Sequence, residues 1–113
     1  MAKELGRFGV SSFKVSFDDL EWQQIRPDVR QKLCVEGSQQ IRLVEFQTSD
    51  CPEHWCETGH VGYVLSGALS ISFDGEVVSF KAGDGLLIPP GAASKHRAVA
   101  ITPGTRLLMV EDP

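Results

Sequence analysis

Several features that would place a chain in a broad class are missing here. No apolar stretch approaches the roughly 20 residues of a membrane-spanning helix, so no membrane partner is expected. The opening residues, Met-Ala-Lys-Glu-Leu-Gly, have no apolar core of a secretory signal. There is no basic run either. The 11 Lys and Arg are scattered and outnumbered by 15 Asp and Glu, giving a net charge of −4. Nothing is arranged to neutralise a row of phosphates, and no nucleic-acid partner is expected. Cysteine is sparse and odd in number, as Cys34, Cys51 and Cys56. Without an export signal, that argues against a disulfide framework and makes the cytoplasm the expected location. No repeat or low-complexity segment is present.

What remains is an ordinary globular composition, 42% hydrophobic and 23% charged, in 113 residues. That length suits one domain and can bury one core without staples. Short β-type runs between turn signals dominate. Residues 11–17 alternate Phe13, Val15 and Phe17 with polar residues, the period of a half-buried strand. Residues 18–22 fit one helical turn, which Pro27 would bound. Strands are expected at 30–35 and 41–48 around Glu36-Gly37-Ser38, and at 63–65 and 68–73 around Ser66-Gly67. Asp74-Gly75, between 70–73 and 77–80, is the strongest hairpin signal. Further strands fall at 86–88, 98–101 and 106–110. Closely spaced strands with little helix indicate an all-β sandwich or barrel.

Histidine is scarce, with three in all, and two of them bracket a cysteine. His54 and Cys56 are two positions apart, so on a strand both would leave the same face, with Trp55 on the other. Thr58-Gly59 lets the chain turn, and His60 opens the next strand, where it can face back toward them. His96 arrives from a separate strand beyond Pro89-Pro90-Gly91. Imidazole and thiolate make a borderline-soft donor set suited to zinc and late first-row metals. His54, Cys56, His60 and His96 are therefore the expected ligands of one divalent transition metal. Zinc is the first expectation, with nickel or iron as alternatives.

The segment from His54 to His60, followed by Val61-Gly62-Tyr63-Val64-Leu65-Ser66-Gly67, resembles the first motif of the cupin superfamily. Gly83-Asp84-Gly85-Leu86-Leu87-Ile88-Pro89-Pro90-Gly91 resembles the second, whose histidine follows shortly after. His54-Trp55-Cys56 is similar to a bacterial subgroup of small cupins named for a His-Cys-Trp (DHCW-type) motif. Cys56 stands where the motif usually has its second histidine, and His60 where it has a glutamate. His96 lies beyond the usual spacing, so residues 92–95 must bulge for it to point inward. The resemblance implies a single-domain all-β cupin, a double-stranded β-helix or jelly-roll barrel spanning 1–113. An N-terminal strand arm would cover about 1–30 and the metal-site barrel core about 31–113. It also implies pairing through an outer sheet, hence a homodimer.

Cupin relatives include dioxygenases, isomerases, lyases and decarboxylases, so a metalloenzyme acting on a small organic molecule heads the expectations. A non-catalytic barrel that binds or senses a small molecule or metal, and a purely structural metal, remain open. Cys34 reads as a small buried apolar residue, and Cys51 as an exposed loop cysteine without a role. A Cys51–Cys56 bridge would remove a ligand. Trp55 and Tyr63 read as outward packing or interface aromatics. Glu53 or Glu57 could support a ligand histidine, although a solvated carboxylate is the commoner fate. Which of Arg42, Glu45 and Gln47 face inward is not fixed by the pattern.

Overall fold

The computed structural model describes residues 10, 11 and 13–112. The first nine residues, Ser12 and Pro113 lie outside that description, and with them the N-terminal stretch read for an export signal. Eleven strands are present among the described residues: β1 (Val10–Ser11), β2 (Lys14–Val15), β3 (Gln23–Arg26), β4 (Val29–Glu36), β5 (Gln39–Phe46), β6 (His60–Ser66), β7 (Ala68–Ser72), β8 (Val77–Lys81), β9 (Gly85–Ile88), β10 (Arg97–Ile101) and β11 (Thr105–Glu111). A six-stranded sheet runs β3-β4-β5-β11-β6-β9, and a three-stranded sheet runs β10-β7-β8. Every pairing is antiparallel. The chain crosses between these sheets after β6, β8, β9 and β10, which is the winding of a jelly roll.

The turns follow from their residues. Asp74 and Gly75 both take positive φ, 42° and 105°, and Phe73 N–H donates to Glu76 O at 2.7 Å, as the hairpin signal predicts. Gly37 (φ 60°) carries the two-residue reversal between β4 and β5. The inner faces of the two sheets meet in one apolar core. Val64, Leu86, Leu107 and Met109 come from the large sheet, and Leu69, Ile71 and Ile101 from the small one. Along β11, Thr105, Leu107 and Met109 are buried at every second position, the period of a strand with one face on the core.

The N-terminal segment departs from expectation. Residues 11–17 are not one strand. β1 and β2 form a separate hairpin, Phe13 sits in its reversal at φ 75° and is exposed, and Phe17 begins a 3-10 turn (Phe17–Asp19). A hairpin outside the main sheets has no core for its aromatic to enter, so three residues of alternation misled. β3, unexpected from the sequence, pairs with β4 and extends the large sheet. On the outer face of that sheet, Glu45 accepts from Arg30 Nε at 2.6 Å and Arg106 Nε at 2.8 Å. The Trp22 ring covers the same cations, with Arg30 Cζ at 4.2 Å.

Candidate metal centre

Cys56 and His96 are placed by a two-residue antiparallel bridge. Cys56 N–H donates to His96 O at 2.7 Å, and His96 N–H donates to Cys56 O at 2.9 Å. The extra length before His96 is taken up by a 3-10 turn at Ala92–Ser94, which supplies the bulge its spacing requires. His60 starts β6 on the row that continues inward through Gly62 to the fully buried Val64. One ligand-type atom from each of Cys56, His60 and His96 lies within 4.8 Å of the others. The two imidazoles meet edge to face with centroids 5.1 Å apart.

Both rings are held with Nδ1 as the donor. His96 Nδ1–H donates to Ser94 O at 2.9 Å, since a carbonyl can only accept. In the neutral ring that tautomer puts the lone pair on Nε2, and that atom is buried with no hydrogen-bond partner. His60 Nδ1 faces Glu111 Oε2 at 2.6 Å. Glu111 also accepts from Arg42 Nε at 2.8 Å and Arg42 Nη2 at 3.2 Å. Burial alone would raise the Glu111 pKa, but the hydrogen bonds from His60 and Arg42, with their charges, outweigh it and hold the group at about 2. Glu111 is thus an acceptor-only carboxylate that leaves His60 Nε2 free for a metal. Arg42 is fixed in turn by Nη1 donating to Gln31 Oε1 at 3.0 Å.

His54 is not part of the trio. The expected strand through His54 and Cys56 does not form, because the chain after Pro52 bends at Glu53–His54 and pairs only at Cys56. His54 is exposed, on the wall of a cavity of about 260 Å³ that Cys56, His60 and His96 also line. Trp55 is outward, as expected, with Lys95 Nζ and Arg97 Cζ 5.3 and 5.2 Å from its ring centre. Glu53 and Glu57 are exposed, and the carboxylate that supports a histidine is Glu111 instead. Arg42 faces the cavity, Glu45 faces the outer side, and Gln47 is exposed, accepting from Gln24 Nε2.

No disulfide joins the cysteines, so the Cys51–Cys56 bridge is absent. Cys34 is buried as expected. Cys51 corrects its expectation, because it packs against the core and burial raises its thiol pKa, helped by Asp50 and Asp28. Sequence reasoning missed Glu111 and left open whether Arg42 faces inward. The available signal was the alternation along β11, which carries the inward row 105, 107, 109 on to Glu111.

Solved structures with the same architecture include KdgF from a Halomonas species, which is 25% identical, with 85% of this chain and 90% of that one covered and a TM-score of 0.70. An RmlC-like cupin from Shewanella frigidimarina is 20% identical, covering 85% and 86%, with a TM-score of 0.69. The polyketide cyclase RemF from Streptomyces resistomycificus is 20% identical, covering 88% and 79%, with a TM-score of 0.70. No curated protein matches the chain. The cupin domain family matches residues 42–111, which is most of the chain and holds every residue of the trio as well as Arg42 and Glu111. The fold, the winding and this match agree, and the chain belongs to the cupin family.

Proposed function

We propose that this cupin holds one divalent transition metal through Cys56 Sγ, His60 Nε2 and His96 Nε2, and acts as a small metalloenzyme on a small organic molecule. Zinc is the first expectation, with nickel or iron as alternatives. The observation that carries the reading is His96 Nε2, a buried lone pair without a partner, with two further metal-type donors within 4.8 Å. Leaving such an atom unsatisfied costs about 1–3 kcal/mol, which an ion between the three donors would offset. One thiolate and two imidazoles suit a borderline-soft ion. When bound, the ion would supply Lewis-acid polarisation of a ligand oxygen or a lowered pKa for bound water.

The chain's own residues supply the rest. Glu111 and the Ser94 carbonyl hold the two imidazoles in one tautomer and orientation. Val44, Leu69, Ile71 and Leu107 give the cavity apolar walls. With only Cys56, His60 and His96 as protein donors, a bound ion would retain room for water or substrate, as a catalytic rather than a closed structural site requires. His54, the fourth ligand expected from the sequence, would have to swing in from the rim and would then close the site. Elemental analysis by inductively coupled plasma mass spectrometry tests the reading. Near one metal per chain is expected in the wild type, with a sharp fall in Cys56→Ser. No metal above background after incubation with zinc, nickel and iron(II) would contradict it.

We also propose a cytoplasmic homodimer. Val61, Leu87 and Val110 are exposed and lie opposite one another across β9, β6 and β11, with exposed Tyr63 and Leu65 further along β6. An apolar strip of this kind favours a second copy of the sheet. Three cysteines without a disulfide suit a reducing compartment. Among the described residues no helix is long and apolar enough to cross a membrane.

A further inference from the structure

Arg97 begins β10 directly after His96 and lines the same cavity. Its Nη1 donates to Glu53 O at 3.3 Å, and the Trp55 ring lies beside the guanidinium. Its Nε–H is buried without a hydrogen-bond partner. Among the described residues, no carboxylate lies within ion-pair distance of it. The other guanidinium groups on or near the barrel differ. Arg42 is clasped by Glu111, Arg30 and Arg106 share Glu45, and Arg26 at the cavity wall has Asp28 at 3.9 Å.

The cavity lining reverses the charge of the chain as a whole. Its ionisable members among the described residues are Arg26, Arg42, Arg97, the three histidines and Cys56, with no Asp or Glu. This is a chain whose acids outnumber its bases by 15 to 11. A guanidinium without a counter-charge beside a largely apolar cavity favours an anion, and a planar carboxylate matches its fork of N–H donors. Without the ion, one uncompensated guanidinium balances one negative charge, which fits a carboxylate better than a phosphate dianion. The volume, about 260 Å³, is below the usual range for drug-sized ligands, so the molecule is short. Ile25, Phe46, Leu69 and Met109 give it apolar walls to lie against.

We propose that the cavity binds a short-chain organic carboxylate, with Arg97 as the anchor for its acid group and its carbon chain directed to the Cys56–His60–His96 end. This names a substrate class for the metal site proposed above and rests on that reading for its chemistry. The anchor itself requires no metal.

Isothermal titration calorimetry with butanoate, butanamide and n-butylammonium, three probes of similar shape, tests the proposal on zinc-loaded and on chelator-treated protein. Butanoate binds both forms, butanamide binds about tenfold more weakly or worse, and butylammonium does not bind. Arg97→Gln weakens butanoate about tenfold or more and leaves butanamide unchanged, while Arg97→Lys recovers part of the loss. Equal binding of butanoate and butanamide, no butanoate binding at millimolar concentration, or an Arg97→Gln variant that binds like wild type would each overturn it. So would inorganic phosphate that displaces butanoate from chelator-treated protein at equal concentration. If Arg97→Gln does not fold, the three-probe series on the wild type still decides. Metal content measured on the same samples separates the two readings. No retained zinc with Arg97-dependent butanoate binding sinks the metal centre and leaves the anchor. Retained zinc without a preference for butanoate does the reverse.

Discussion

Glu111 accepts from His60 Nδ1 at 2.6 Å while the Arg42 guanidinium grips the same carboxylate through Nε and Nη2. The three residues come from β11, β6 and β5, three neighbouring strands of the large sheet. Met109 is registered opposite Arg42 and Gln40 opposite Glu111, so Arg42 reaches Glu111 across the diagonal of one pair. Arg42 keeps the carboxylate ionised and oriented, and the carboxylate fixes the His60 ring. The electrostatics of the site therefore begin two residues away from any proposed ligand atom.

Replacing Glu111 by Gln retains the shape but loses the charge and the acceptor-only character. Metal affinity should fall about 10- to 100-fold, the usual cost of losing a carboxylate behind a ligand histidine. Competition against a chromophoric chelator measures it. An affinity equal to wild type would show that His60 needs no such support.

Acid should destabilise the protein partly through Glu45. Burial alone would raise its pKa, but the hydrogen bonds and charges of Arg30 and Arg106 bring it below the ordinary 4.5. A folded-state pKa below the unfolded value means that the contribution is fully present above about pH 4.5 and is lost as pH falls toward the lower folded value. Glu111 extends the same loss down to about 2. Urea unfolding at a series of pH values should show wild-type stability declining as pH falls below about 4.5, and more shallowly in Glu45→Gln. Parallel profiles would contradict the assignment.

Gly62 lies between His60 and Val64 on the inward row of β6, where β11 comes close. A Cβ there would stand 2.5 Å from Leu108 O, a backbone atom that cannot rotate away. Gly62→Ala should therefore cost about 1–3 kcal/mol, the range for overpacking, with the β6–β11 pair forced apart beside the site. Thermal unfolding checks it, and an unchanged melting temperature would show that the strands have room.

The apolar strip through Val61, Leu87 and Val110 predicts self-association. Light scattering should give about twice the chain mass of 12.4 kDa, and Leu87→Glu should return the monomer. A wild-type monomer at working concentration would remove the dimer from the account.

Local features were readable in the sequence and relations across strands were not. The Asp74-Gly75 hairpin, the Gly37 turn and His60 at the head of β6 all follow from a few adjacent residues. The barrel itself came from the resemblance around His54–Gly67 and Gly83–Gly91, because alternation alone does not choose between sandwich and barrel. Glu111 is 51 residues from His60 and 69 from Arg42, and only strand register brings them together. Cys56 and His96 meet through one isolated bridge, which no periodicity announces. His54 and Cys56 do line one cavity, but the strand assumed to place them does not form, because the chain bends at Glu53–His54. The expectation for Phe13 failed, since alternation says nothing of whether a core is there to be entered.

X-ray absorption at the metal edge of the zinc-loaded protein tests the central claim most directly. One sulfur at about 2.3 Å with nitrogen neighbours at about 2.0–2.1 Å is predicted, with the sulfur shell missing in Cys56→Ser. A first shell of oxygen and nitrogen alone in the wild type, unchanged by that substitution, would place the ion elsewhere and contradict the Cys56–His60–His96 centre.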